Sequence, residues 1–368
     1  MKLKETISWL MDSLQKNLFP RLEECWEEPL TEKERQLVWI LEVVEVERYI
    51  VRSASTQWLG RKLLDRQAIA RAFVAKAVYN HSYTSKTLEA LEAAPNLRRI
   101  CGYKKRSAIP SESTFSRAFA EFAKSELGDR VHEALVKECV KPELVGHISR
   151  DATAIEGREK PVKKPKKEKR AAAKRGRPRK GEIREAKEEK RLERQCGQTF
   201  QEALQELPVH CDVGTKKNSK GYKETWIGYK LHADVNDWGL PIGVVLSAAS
   251  LHDSQVAIPL MKMTSGRVDY LYELMDSAYD ARPICEVSRS LGHVPIIDKN
   301  GRGKEEVPMA PHEAARYKER SASERFNSRL KEEFGARNVM VRGAQKVRLH
   351  LMFGVIALFA DQLLKLMN

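Results

Sequence analysis

The sequence predicts an α/β protein, a mixed sheet flanked by helices and preceded by an all-helical domain. Three observations carry that prediction. From residue 30 to about 141, apolar side chains recur at spacings of three and four, the period of an amphipathic helix. Between 226 and 246, two β-rich runs flank Asn236, Asp237, Trp238 and Gly239, the pattern of an antiparallel hairpin. Beyond 250, helical and strand-like segments alternate, which places helices on the faces of a sheet.

Each element follows from its own residues. In the helical half, Leu37, Ile40, Leu41 and Val44 form one apolar stripe and Ile69, Phe73, Val74 and Ala77 another. The last helix of this half follows Pro110 and Ser111, with Ser113 or a neighbour as its cap. Phe115, Phe119 and Phe122 then fall on one face, and read as a core stripe rather than a platform for stacking bases. Residues 145–155 read as a strand that carries Asp151. At 157 the composition changes abruptly: 157–194 holds 18 Lys and Arg against 7 Asp and Glu, with no aromatic residue. Such a stretch cannot bury enough apolar surface to offset the entropy of ordering it, so it is expected to stay outside the fold. Order returns with the hairpin strands 226–235 and 240–246, a helix over 254–263 and a strand over 268–275. A helix at 283–291, a strand at 294–297 and helices at 320–333 and 344–367 complete the chain. The expected division is a helical domain over 1–141, a sheet domain over 142–156 and 195–368, and a basic insertion over 157–194, with no internal repeat.

The 368 residues suffice for a large core and carry a net charge of +15. Clustered Lys and Arg gain affinity for nucleic acid by releasing its condensed counterions, so the charge points to a polyanionic partner. Eleven of those charges reside in the insertion, and the remaining 330 residues are nearly balanced. The six cysteines, at 25, 101, 139, 196, 211 and 285, show no zinc-binding spacing and are expected to be reduced thiols in the cytoplasm. Residues 1–19 mix acids with bases and lack the apolar stretch of a secretory signal, and no uncharged run approaches a membrane span. Neither a membrane nor a small-molecule cofactor is expected.

The most informative segment runs from Tyr317 to Lys331. On a single helix Tyr317, Arg320, Glu324 and Lys331 fall at about 0°, 300°, 340° and 320°, a polar stripe opposed by Phe326, Leu330 and Phe334. Seen alone, such charges are an ordinary solvated face. Two further carboxylates change the reading. Asp151 lies in the strand before the insertion, and Asp276 ends the strand that begins at 268, where sheets present ligands. Carboxylates spaced Asp, 124 residues, Asp, 47 residues, Glu suit a site holding two divalent cations for phosphoryl transfer. His252 and Asp253 form a rival acid pair, expected instead to cap the helix starting near Ser254. Asp280 and Asp298 read as a helix start and a strand end.

Here the sequence resembles the DDE transposases of bacterial insertion sequences, in the group marked by Tyr-x2-Arg-x3-Glu-x6-Lys. Tyr317, Arg320, Glu324 and Lys331 match that spacing without a gap. Asp276-Ser277-Ala278-Tyr279 is similar to the second-aspartate motif and Asp151-Ala152-Thr153 to the first. Gly228-Tyr229-Lys230-Leu231-His232 and 249–254 resemble two framework motifs between them, and 61–122 resembles the family's N-terminal helical domain.

The resemblance implies a ribonuclease-H-like fold in which Asp151, Asp276 and Glu324 hold two Mg²⁺, for which Mn²⁺ would substitute. It implies that Tyr317, Arg320 and Lys331 hold element-end DNA. With the basic run Lys104, Lys105 and Arg106 it also suggests DNA binding by the helical half, for which a purely structural bundle is the alternative. It implies double-stranded DNA as partner, both element ends and target, and a homodimer in a synaptic complex within the bacterial nucleoid. Only 47 residues separate Asp276 from Glu324, which leaves little room for the large β-rich insertion that some relatives carry there. Within the basic insertion, Lys174-Arg175-Gly176-Arg177-Pro178-Arg179-Lys180 resembles an AT-hook, whose arginines Arg175, Arg177 and Arg179 would follow a narrow minor groove. The resulting expectation is a transposase that cleaves and transfers DNA strands. The alternatives are a nuclease of the same fold without strand transfer, or a domesticated DNA-binding protein, against which the complete acidic triad argues.

Overall fold

The computed structural model describes residues 29–50, 65–163, 189–217, 220–299 and 308–367. The helical half comprises α1 (Glu32–Val44), α2 (Arg66–Val78), α3 (Thr84–Ala93), α4 (Pro95–Ile100), α5 (Glu112–Lys124) and α6 (Leu127–Cys139). Thr31 starts α1 with a reciprocal capping box: its hydroxyl accepts from Glu34 N at 3.2 Å, and the Glu34 carboxylate accepts from Thr31 N at 2.8 Å. Ser111, rather than Ser113, occupies the cap position of α5, and no side chain bonds the helix start.

The sheet half comprises β1 (Val145–Glu156), α7 (Arg191–Gly197), α8 (Phe200–Gln205), β2 (Asp212–Lys217), β3 (Lys223–Asn236), β4 (Pro241–Ala248), α9 (Ser254–Ser265) and β5 (Tyr270–Met275). It continues through α10 (Arg282–Ser290), β6 (Val294–Ile297), α11 (Pro311–Tyr317), α12 (Ser321–Glu332) and α13 (Ala344–Met367). Six strands form one mixed sheet. Long β3 pairs antiparallel with β1 along one edge and with β2 and β4 in succession along the other. Beyond β1, β5 and β6 are parallel to it and to each other. Short α7, α8 and β2 have no counterpart in the sequence expectation; α7 begins at Arg191, inside the basic stretch expected to stay outside the fold, and is docked by hydrogen bonds from Arg191 and Gln195 to Gln255.

Helix α13 joins the two halves. It packs on α1, α2, α5 and α6 and reaches β4 and α12, so one apolar core runs from the helical half to the sheet. Phe353 stacks on Phe73 with ring centroids 5.6 Å apart, and Phe73 meets Phe119 at 4.8 Å and Phe115 edge-on at 5.6 Å. The phenylalanine stripe of α5 is thus core, each ring contributing roughly 1.5–3 kcal/mol by burial. By length and composition α13 could cross a membrane, yet most of its apolar window is covered by protein.

Burial lowers the pKa of His132, His232 and His350. His132 Nε2 donates to Pro241 O at 2.8 Å, and burial lowers its pKa to about 3. His350 is held likewise through Gly335 O, and burial lowers His232 to about 4. Because the folded pKa lies below the unfolded value near 6.5, the unfolded chain binds more protons in between. Stability from a neutral histidine is present above pH 6.5 and lost as pH falls toward the folded value. His132→Gln removes one such proton, so the variant should gain roughly 1.4 kcal/mol per pH unit relative to wild type as pH falls below 6.5. Parallel denaturant titrations at pH 7 and 5 test this, and identical pH dependence would refute it. Carboxyls that titrate in the opposite sense, such as Glu42 and Asp151, are common to both proteins and cancel.

Candidate active site

Strand register brings the two aspartates together. Val145, His147, Ile148 and Ser149 of β1 pair with Tyr270, Tyr272, Glu273 and Leu274 of β5, a constant offset of 125 residues. The ladder ends at Ser149 and Leu274; Asp151 lies two residues further along β1 and Asp276 directly follows the last residue of β5, which leaves the two carboxylates within electrostatic reach of each other. Burial pushes the Asp151 carboxyl up to about 6; the Ala152 N–H and Arg320 oppose the shift, and nearby Asp276 and Asp253 add to it. Burial raises Asp276 as well, against the Ala278 N–H that donates to its Oδ1 at 2.9 Å and against the charge of Arg320. Asp298 follows β6 next to Asp276 and raises it further.

The signature segment lies across the face of β1 that carries Asp151, tied to alternate residues of that strand. Arg316 Nη1 donates to His147 Nε2 at 3.3 Å, while His147 Nδ1 donates to Asp237 at 2.8 Å. Ser149 Oγ donates to Glu319 O at 3.0 Å, and Asn327 Nδ2 donates to Asp151 Oδ2 at 2.9 Å. The buried side of α12 is Ala322, Phe326 and Leu330, as its pattern predicts. The stripe does not run on one continuous helix: Tyr317 ends α11, Arg320 closes a 3₁₀ turn (Lys318–Arg320), and Glu324 and Lys331 belong to α12. The tighter turn rotates Tyr317 from its ideal angle.

Arg320 is the electrostatic centre of the site. Burial disfavours its charge, but Tyr317, Glu324, Asp151 and Asp276 outweigh burial and raise its pKa. Its guanidinium lies 5.8 Å from the Tyr317 ring and is paired with the Glu324 carboxylate, whose side chain is 56% exposed. Burial pushes the Tyr317 hydroxyl up to about 12 and lowers Lys331, the latter reinforced by Lys216 and opposed by Glu156 and Asp151. Asp151 and Asp276 therefore converge, and Glu324 is turned toward Arg320. Among the described residues no three His, Cys, Asp or Glu side chains form a ready-made metal cage.

Other residues at the site emerge only from packing. Asp253 occupies the cap position of α9, but its side chain makes no cap bond; the ring of His252 bonds Ser254 Oγ at 2.8 Å instead. The pair thus caps the helix start through His252, whose Nδ1 also accepts from Ser254 N–H at 3.4 Å, and not through the Asp253 side chain. Its carboxylate accepts from Lys230 Nζ at 2.8 Å, and that ammonium also donates to Leu251 O at 2.9 Å. Ion pairing with Lys230 thus prevails over capping, and links the two framework motifs beside the aspartates. Tyr279 is buried with its hydroxyl unpaired, within electrostatic reach of Asp253, Asp151 and Asp276. Asn327 Oδ1 is also buried without a partner. Its angle of about 280° on the ideal helix, next to Arg320, was the one signal of it in the sequence.

The remaining cations stand apart or outside the described residues. Lys104 and Lys105 are exposed between α4 and α5, and Arg106 is paired with Glu92 at 2.7 Å. Arg175, Arg177 and Arg179 lie outside the described residues.

Against this geometry, the family model described as Transposase DDE domain matches residues 147–360, more than half of the chain. The chain belongs to the DDE transposases. A second model, described as Transposase domain (DUF772), matches residues 24–121 of the helical half. No curated protein and no solved structure matches the chain. The strand order β4-β3-β1-β5-β6, with only β3 antiparallel to its neighbours, is the ribonuclease-H-like sheet of this family. DDE transposases use a divalent metal, typically Mg²⁺, and DNA is their substrate. The donors of this transposase fit a hard cation: two neighbouring carboxylates, both raised by burial and by nearby acids, and the unpaired oxygens of Asn327 and Tyr279.

Proposed function

We propose that this transposase binds the terminal inverted repeats of an insertion sequence, cleaves DNA at the element ends and joins those ends to target DNA. The observation that carries the reading is the nearness of the Asp151 and Asp276 carboxylates beneath the segment that bears Glu324, which is bonded to three residues of β1 through Arg316 of α11, Glu319 of the 3₁₀ turn and Asn327 of α12. Asp151, Asp276 and Glu324 would hold two Mg²⁺, or Mn²⁺ in their place. Bound there, the metal supplies activation of an attacking hydroxyl and stabilisation of the leaving oxygen in phosphodiester chemistry.

The protein's own residues divide the remaining work. Arg320 holds Glu324 until a phosphate competes for its guanidinium, whose planar fork suits a phosphate as well as a carboxylate. Tyr317 and Lys331 flank the same face, and Tyr317 orients the DNA end by stacking or hydrogen bonding. Lys104, Lys105 and Arg106 extend contact to the DNA backbone from the helical half. Arg175, Arg177 and Arg179 would reach an A·T minor groove. Two protomers would bring two ends together in a synaptic complex on nucleoid DNA in the bacterial cytoplasm.

The test is incubation of the full chain with a duplex carrying the inverted repeat that flanks its gene, a supercoiled target and Mg²⁺. Joined products are expected. Cut ends without joining would leave a nuclease, and neither product with intact binding would leave a DNA-binding protein. Deleting 157–194 should flatten the salt dependence of DNA binding if that segment touches phosphates, and an unchanged slope makes it a spacer.

A further inference from the structure

A second, cationic cavity of about 350 Å³ opens where α2, α3 and α5 meet the segment after β1 and the start of α13. Its deepest charge is Lys76 of α2, which is 5% exposed. Lys76 donates to His350 Nδ1 at 3.5 Å; His350 uses its Nε2 hydrogen on Gly335 O at 3.0 Å and burial keeps it neutral. The buried ammonium thus has a neutral partner where a carboxylate would be expected, an arrangement that is costly unless an anion completes it.

Around it, apolar walls from Phe73, Phe119, Met340 and Val341 alternate with charges that are mostly of the same sign. Arg158, Arg342 and Lys346 contribute three more cations, and Glu112 is the one acid. Glu159, next to Arg158, is engaged by Gly343 N–H and the Tyr229 hydroxyl. Ser82, Thr84 and Ser116 add hydroxyl donors. Thr84 opens α3 and Glu112 opens α5, and neither helix start receives a side-chain cap, so two positive helix ends border the same space. The volume lies in the range of nucleotide-sized pockets.

We propose that this cavity is a phosphate-binding site, filled by a backbone phosphate of bound DNA or by the phosphates of a free nucleotide. The DNA alternative rests on the transposase reading above; the chemistry of the cavity does not. Lys76 would contact the phosphate directly, and Arg158, Arg342 and Lys346 would receive the flanking charge.

The experiment uses the full chain without added metal and two variants: Lys76→Met, which removes a buried charge at nearly constant volume, and Lys346→Ala at the rim. Calorimetry with pyrophosphate and with ATP, and anisotropy with an element-end duplex over a salt series, give the readouts. Loss of at least about tenfold in pyrophosphate or ATP affinity in Lys76→Met, with an unchanged DNA salt slope, assigns the site to a free nucleotide. A slope reduced by about one in each variant assigns it to the DNA strand. Affinities for all three probes within twofold of wild type in both variants overturn the proposal. Should wild type, given Mg²⁺ in a parallel reaction, cut element ends in that case, the transposase reading stands without the cavity. Should it bind pyrophosphate through Lys76 yet process no DNA, the cavity stands without that reading.

Discussion

Asp276→Ala or Glu324→Ala is expected to abolish cleavage of element-end DNA while leaving its binding largely intact. Asp276 is held at the end of β5 by a hydrogen bond from the Ala278 N–H, beside Asp151 on the neighbouring strand. Removing one carboxylate from a site built for divalent cations forfeits several kcal/mol of transition-state stabilisation, a loss of roughly a thousandfold or more in rate. Binding draws mainly on contacts between cations and phosphates, which these substitutions do not delete. Glu324→Ala also frees Arg320 from its carboxylate, so DNA affinity should hold or rise while cleavage disappears. Single-turnover cleavage and anisotropy on one duplex separate the two effects. A variant that cuts at the wild-type rate would remove that residue from the site.

Arg150→Met should lower the free energy of unfolding by about 3–5 kcal/mol, although Arg150 faces away from the aspartates. Next to Asp151 in β1 it projects to the opposite side of the sheet, where it is 1% exposed. Its guanidinium makes paired 2.8 Å bonds to Asp234 of β3, reaches Glu273 of β5 at 3.3 Å and touches Met275 Sδ at 3.3 Å. Thr264 and Tyr270 add bonds of 2.6 Å to the same carboxylates. One cation thus ties the three central strands together beneath the face that carries Asp151 and Asp276. Without it, two buried carboxylates lose their counter-charge, which costs more than the pair itself contributes. Adding Asp234→Asn and Glu273→Gln to Arg150→Met should restore much of the loss, because the uncompensated charges are then gone. Chemical denaturation reads both steps, and a single variant within about 1 kcal/mol of wild type would show that Arg150 does not lock the strands.

Much of the fold was legible because its periods are long. The stripe of Phe115, Phe119 and Phe122, the two hairpin strands and the 24-residue α13 follow from spacing alone. Helix α13 could be located, but not its partners: an apolar helix shows that it is buried without showing against what, and here it fills the centre of the helical half. Of the pair expected to cap α9, His252 bonds the helix start and Asp253 does not, for a related reason. Next to a helix start, capping is the local expectation, and only folding brings Lys230 within 2.8 Å to claim the carboxylate.

By itself the sequence determined the fold class, the spacing of Asp151, Asp276 and Glu324, and the concentration of basic charge in one insertion, since each depends on residue type and order along the chain. Tertiary structure decided the rest. Only strand register could put Asp151 beside Asp276, only the packing of α12 on β1 could give Asn327 its bond to Asp151, and only the meeting of three helices with α13 could enclose Lys76. These are distances between residues far apart in the chain, fixed by which faces bury against each other, and no local pattern encodes them.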